Sequence, residues 1–146
     1  MKIALVALAL LLPAPFVSGP QHFSLTAVYV PPEKPGKPGA VAVTFRGRDP
    51  EIHVNEEPAP RLKLDPEQSL LLDRQPPASG KGMEFDPDTA HYLDLSKPVR
   101  FAVEIAPTAP RGPQSAKASV VYFYCSKREG WCRRGSTEVL IPITVE

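Results

Sequence analysis

Proline sets the limits on this chain. Nineteen of its 146 residues are proline, about 13% against a usual level of roughly 5%. From Pro31 to Pro113 they recur at intervals too short for most helices. Each interior proline removes a backbone donor and clashes with the preceding turn. A helical bundle or a doubly wound α/β fold is therefore not expected. A wholly disordered chain is not expected either, because the proline-poor segments are apolar and β-branched and 42% of the residues are hydrophobic. The formal net charge is +1, which gives no support for nucleic-acid binding or a polybasic membrane patch.

The amino end reads as an address. Met1 and Lys2 precede an unbroken apolar run over residues 3–12, followed by Pro13, Pro15, Ser18 and Gly19. Ten residues rise only about 15 Å as a helix, half of a hydrocarbon core. Residues 1–19 are thus expected to be a secretory signal peptide cut near Gly19, the alternative being a retained anchor. Residues 20–146 are expected to form a single domain with no membrane span after signal removal. Export predicts a periplasmic or secreted protein, in an oxidising compartment where a cysteine pair persists as a disulfide.

Period-two patterning runs through the rest. In residues 23–30, Phe23, Leu25, Ala27 and Tyr29 alternate with Ser24, Thr26, Val28 and Val30, the signature of a strand. A polar Pro/Gly-rich connector follows over residues 31–39. Further strands are expected at 40–46, 61–64 and 69–72, with a short strand or strand-like turn at 51–55. Val99, Phe101, Val103 and Ile105 alternate with Arg100, Ala102 and Glu104, as in a strand with one wet face. Residues 119–124 are apolar on both faces, as in a central strand. Val139, Ile141, Ile143 and Val145 should point inward, leaving Pro142 on the outer face of an edge strand. Roughly seven to nine short strands between turn signals predict an all-β fold, an immunoglobulin-like antiparallel β-sandwich.

The chemistry of the chain centres on Cys125 and Cys132. They flank a short loop that reads as a hairpin, and facing residues of antiparallel strands sit about 4.5 to 5.5 Å apart, within reach of a disulfide. Closing so short a loop stabilises by only about 2.5 kcal/mol in the chain-entropy model. Lys127, Arg128, Arg133 and Arg134 surround the pair, and positive charge favours thiolate. Tyr122, Tyr124 and Trp131 are placed to shield or dock the sulfurs. Spacing alone leaves two readings open, an exchangeable bond and a plain structural staple. If Cys125 faces Cys132, then Phe123 faces Arg134 and Val121 faces Ser136. The inward set Val139, Ile141 and Ile143 then has the opposite parity, so a β-bulge is expected at Gly135.

This hairpin resembles the amino-terminal domain of the thiol:disulfide interchange protein DsbD, the disulfide bond corrector family. The resemblance lies in Val121-Tyr122-Phe123-Tyr124-Cys125, then Trp131-Cys132, then Val139-Leu140-Ile141-Pro142-Ile143. Upstream, Ile52-His53-Val54-Asn55 with Pro58 looks like the family's His-hydrophobic-Asn segment, and Pro98-Val99-Arg100-Phe101 like its penultimate strand. The likeness covers roughly residues 40–146. It implies an immunoglobulin-like sandwich in which Cys125 and Cys132 are the catalytic redox pair. They would take electrons from a partner thiol domain and hand them to exported oxidoreductases. The inter-cysteine loop is one residue longer than the family's commonest form, and Arg133-Arg134 stand where prolines often follow.

The expected function is therefore thiol–disulfide exchange with a thioredoxin-like or other exported redox protein. The alternative is a non-enzymatic immunoglobulin-like binding or accessory module with a structural hairpin disulfide. No cofactor or metal is expected, since His22, His53 and His91 show no close ligand spacing. His53 reads as a turn residue beside Asn55, the chain's single asparagine.

Overall fold

The computed structural model describes residues 22–78 and 86–146. The apolar amino-terminal run and its expected cleavage position lie outside the described residues. Eight strands follow in order: β1 (Phe23–Val30), β2 (Gly39–Gly47), β3 (Ile52–Val54), β4 (Arg61–Leu64), β5 (Leu71–Asp73), β6 (Val99–Ile105), β7 (Gly112–Ser126) and β8 (Trp131–Val145). Among the described residues there is no helix long and apolar enough to cross a membrane.

The strands form two antiparallel sheets. One has the order β1-β2-β6-β5. The other is built around β7, with β8 along one edge and β3 and then β4 along the opposite edge. The connector after β1 is the loop of a β1–β2 hairpin, in register from Val30 opposite Ala40 to Phe23 opposite Gly47. Between β3 and β4 the pairing with β7 slips. Ile52 faces Ser126, whereas Arg61 faces Val121, so the chain over 55–60 carries four residues more than a continuous strand would need. Glu57–Pro58, a cis peptide, lies in that excursion.

The inward faces meet in one core. Phe23, Val41, Val43, Phe45, Phe101 and Val103 come from the first sheet. Val54, Leu62, Val120, Tyr122, Val139 and Ile141 come from the second. The two sets are the alternate residues of their strands, as the pleat requires. Aromatic rings concentrate at one end, where Phe23 meets Phe45, Tyr122 and Tyr124 edge to face with centroids 5.7–6.1 Å apart.

The β7–β8 hairpin corrects one expectation. Cys125 faces Cys132, Phe123 faces Arg134 and Val121 faces Ser136, and the same register continues unbroken to Gly112 opposite Val145. There is no bulge at Gly135. The parity conflict dissolves because the cysteines and the core lie on opposite faces of the sheet. Gly135 is instead a packing glycine. A Cβ there would sit 2.7 Å from Cε2 of Tyr122, its register partner, so the tyrosine ring occupies the space that a side chain would fill. β8 begins well before its alternating apolar residues, at Trp131, because residues 131–137 pair with the apolar end of β7, while β7 is extended chiefly at its far end, to Gly112.

Edges are managed locally. The Gln75 side chain bonds both N–H and C=O of Leu62, at 3.0 and 2.8 Å, and so occupies the free edge of β4 as a partner strand would. Along β8, paired only with β7, the exposed Pro142 supplies no donor to an incoming strand.

Tyr122 gives the core a pH limit. Burial raises its phenol above the ordinary value, opposed in part by the 3.1 Å hydrogen bond with Thr137 Oγ1. A group whose folded pKa is raised stabilises fully below its unfolded pKa and loses that contribution as pH rises through the folded value. Stability measured by urea unfolding should therefore fall above about pH 10, and the fall should be shallower in Tyr122→Phe. An identical alkaline slope in the variant would assign the loss to other groups.

Candidate functional site

The site lies where the hairpin turns. Its turn over 127–130 closes with the Gly130 N–H bonding the Ser126 carbonyl at 2.9 Å, and Gly130 has φ 71°, a left-handed value that favours glycine. Ser126 is buried, and its Oγ accepts from Glu129 N–H at 3.2 Å. The adjacent pair, Cys125 and Cys132, is joined in a disulfide with Cα atoms 4.0 Å apart. Such close approach marks a facing pair that exchanges no backbone hydrogen bonds.

The two sulfur-bearing residues differ in access. Cys125 is 0% exposed, whereas Cys132 is only partly buried. The difference follows from position in the sheet. β7 is central and β3 lies along its far side, so Cys125 has a strand on each flank. β8 is an edge strand, so Cys132 has one.

The expected aromatic shield is not at the sulfurs. Tyr122 and Tyr124 alternate with Cys125 along β7 and so project to the opposite, core face. Trp131 goes with them. Its ring packs against Tyr124 and His22 with centroids 5.8 Å away in each case, under the Arg133 guanidinium at 4.1 Å. The sulfur face is furnished by β3 instead. His53 stands opposite Cys125, and Tyr92 stacks on the His53 ring at 4.9 Å. His53 is a strand residue, not a turn residue.

Asn55 completes this face. It is 0% exposed, and its Oδ1 lies 3.1 Å from Cys125 Sγ. A disulfide sulfur has no proton to donate, so this is a contact and not a hydrogen bond. Its backbone is held on both sides, by a 2.8 Å bond from its N–H to the Phe123 carbonyl and by a bridge to Tyr92. The segment around residue 92 is laid along the 54–56 backbone by two further bonds, Glu56 N–H to His91 C=O and Leu93 N–H to Val54 C=O. Sequence reasoning did not find Tyr92. Its one signal was an aromatic between turn residues, with no periodicity to place it.

The basic residues divide by face and partner. Arg128 pairs with Asp49 at 3.3 Å, tying the turn to the β2–β3 connection. Lys127 sits 5.2 Å over the Tyr92 ring. Arg134 shares the face of Cys132 by alternation, while Arg133 covers Trp131. Burial, then the charges of Asp88 and Asp86, raise the Tyr92 phenol above its ordinary value, so Tyr92 is neutral beside His53 at physiological pH. Among the described residues no three His, Cys, Asp or Glu side chains converge in a way that could hold a metal ion. His22 and His53 lie on opposite faces of the sheet.

Further along the same outer face is a groove of about 500 Å³ between β4 and β8. Lys63, Lys117, Val121, Arg134 and the 61% exposed Leu140 line part of it.

No family model, no curated protein and no solved structure matches this chain.

Proposed function

We propose that this chain is an exported thiol–disulfide exchange domain of immunoglobulin-like type, similar to the disulfide bond corrector domain, whose redox pair is Cys125 and Cys132. Its partner is a thioredoxin-like or other exported redox protein. The observation that carries the reading is the location of the bond. It joins facing residues at the mouth of a hairpin already paired along both strands, on the sheet face turned away from the main hydrophobic cluster, with Cys125 buried and Cys132 partly exposed. A bond whose task is to hold a fold is of most use closing a long loop.

The exposure difference orders the steps. A partner thiolate attacks Cys132 Sγ. The S–S bond breaks, a mixed disulfide forms, and Cys125 leaves as a thiolate that takes up a proton. The partner's second thiolate then attacks its own sulfur in the mixed disulfide and releases Cys132 as the second thiol. Two electrons and two protons pass in total. The partner dithiol becomes a disulfide, and Cys125–Cys132 becomes a dithiol. Reversed, the same steps oxidise the partner.

The second reading, a binding or accessory module with a structural bond, draws support from the groove between β4 and β8. Equilibration of the purified protein with glutathione or thioredoxin buffers separates the two. The exchange reading expects a potential of roughly −120 to −270 mV, and a Cys125→Ser/Cys132→Ser protein that still folds. A potential below about −300 mV, or a bond reducible only on unfolding, would overturn it.

A further inference from the structure

We propose that Asn55 is a positioning residue for the disulfide, one that favours the dithiol form because its side chain acquires a hydrogen-bond partner only when Cys125 is released. The proposal deepens the exchange reading and rests on it.

Asn55 Nδ2 is a buried side-chain nitrogen with no hydrogen-bond partner. Buried amides without partners are disfavoured, and each such group in a folded protein calls for a reason. The other end of this amide rests on Cys125 Sγ. In the disulfide that sulfur is bonded to its own Cβ and to Cys132 Sγ. It carries no proton for Oδ1 and is a weak acceptor for Nδ2. The oxidised protein therefore strands both ends of a fully enclosed amide.

Reduction changes the sulfur and leaves the amide in place. As a thiol, Cys125 Sγ donates to Oδ1. As the departing thiolate it accepts from Nδ2, once the amide turns about its last torsion. The electrons and protons are those of the partner dithiol in the exchange already written. Each reduced form of Cys125 thus satisfies a group that the oxidised form does not. The equilibrium shifts toward dithiol, and Cys125 becomes a better leaving group, since a stabilised thiolate departs faster. The backbone bonds to Phe123 and Tyr92 hold the amide at the sulfur in both states.

Asn55→Leu keeps the approximate size and removes both polar atoms. Equilibrated against glutathione, the variant should lie about tenfold further toward disulfide than the wild type, a shift of about 30 mV. A purely structural asparagine predicts equal destabilisation of oxidised and reduced protein and an unchanged equilibrium, and that result would overturn the proposal. A second readout needs no variant. Asn55 is the single asparagine, so selective ¹⁵N-asparagine labelling gives one side-chain amide pair. Its protons should shift and exchange more slowly with water on reduction. If they are unmoved, the proposal fails. The two readings fail separately. A wild-type bond that responds to dithiothreitol but not to glutathione sinks the exchange reading, while the Asn55→Leu difference is still measured against dithiothreitol.

Discussion

With Cys125 replaced by serine, the remaining Cys132 thiol is expected to react with a disulfide reagent faster than Cys125 does in Cys132→Ser, by about tenfold or more. The argument is one of access. Cys125 lies on a central strand between β3 and β8, with Asn55 against its sulfur and no exposed surface. Cys132 lies on an edge strand and is partly open. With a partner whose second cysteine is replaced by serine and whose remaining cysteine is activated as a mixed disulfide with thionitrobenzoate, Cys125→Ser should displace thionitrobenzoate and accumulate a stable mixed disulfide through Cys132, because neither Cys125 nor a second partner thiol remains to break it. Cys132→Ser should accumulate little. Equal trapping by the two variants, or preferential trapping through Cys125, would reverse the assigned order of attack. Serine at 125 fits the same space and donates to Asn55 Oδ1, so loss of folding should not confuse the comparison. Near-ultraviolet circular dichroism of each variant checks this.

The second large effect is on stability, and its sign is informative. Gly135 has an ordinary strand backbone, and glycine within a strand is less stable than alanine by roughly 0.5–1 kcal/mol on conformational grounds. Packing predicts the reverse. A methyl group at 135 would meet Tyr122 Cε2 at 2.7 Å and Cζ at 2.8 Å. That ring cannot swing aside, because Phe23 and Phe45 hold it edge-on at 5.7 and 5.2 Å. Gly135→Ala should therefore destabilise by about 1–3 kcal/mol, the usual range for overfilling a packed core. In a Tyr122→Leu background the added penalty should vanish, since the colliding ring atoms are absent. Urea unfolding of the four proteins in the cycle gives the coupling. A neutral or stabilising Gly135→Ala would show that the ring does not own that space.

Legibility varied along the chain for identifiable reasons. Strands β1, β4 and β6 could be placed to the residue, since each has strict alternation or sharp flanking breakers. The centrality of β7 was also readable, because residues 119–124 are apolar on both faces and β7 has neighbours on both edges. What composition could not supply was the handedness of the sulfur face. The aromatic residues next to Cys125 in sequence invited the idea that they contact it. Alternation sends Tyr122 and Tyr124 the other way, and the same error in assigning faces produced the expected bulge at Gly135. Sequence-level reasoning found the cysteine pair itself. It also singled out His53 and Asn55, without their place beside Cys125. That place depends on β3 pairing with the end of β7 across some seventy residues of chain, for which no local pattern exists. The Tyr92 segment forms no strand or helix and is located by its backbone bonds to residues 54–56, the ring contact of Tyr92 with His53 and the packing of Leu93 and Leu95 on the core.

Two-sidedness of the long hairpin has a mechanical consequence. The ribbon works as a partition: oily on the side where the aromatic rings lock together, chemical on the side where the sulfurs meet. Opening the Cys125–Cys132 bond unfastens a latch fitted to the outside of a closed wall. The rings behind it make their contacts with one another and not with the sulfurs, so those contacts do not depend on the bond. A bond sunk between the sheets would have tied every cycle of its chemistry to a breach of the interior. On the exchange reading proposed above, the hairpin would separate turnover from breathing, because the groups that touch the Cys125 side of the bond are the turn, His53, Asn55 and the segment laid over them.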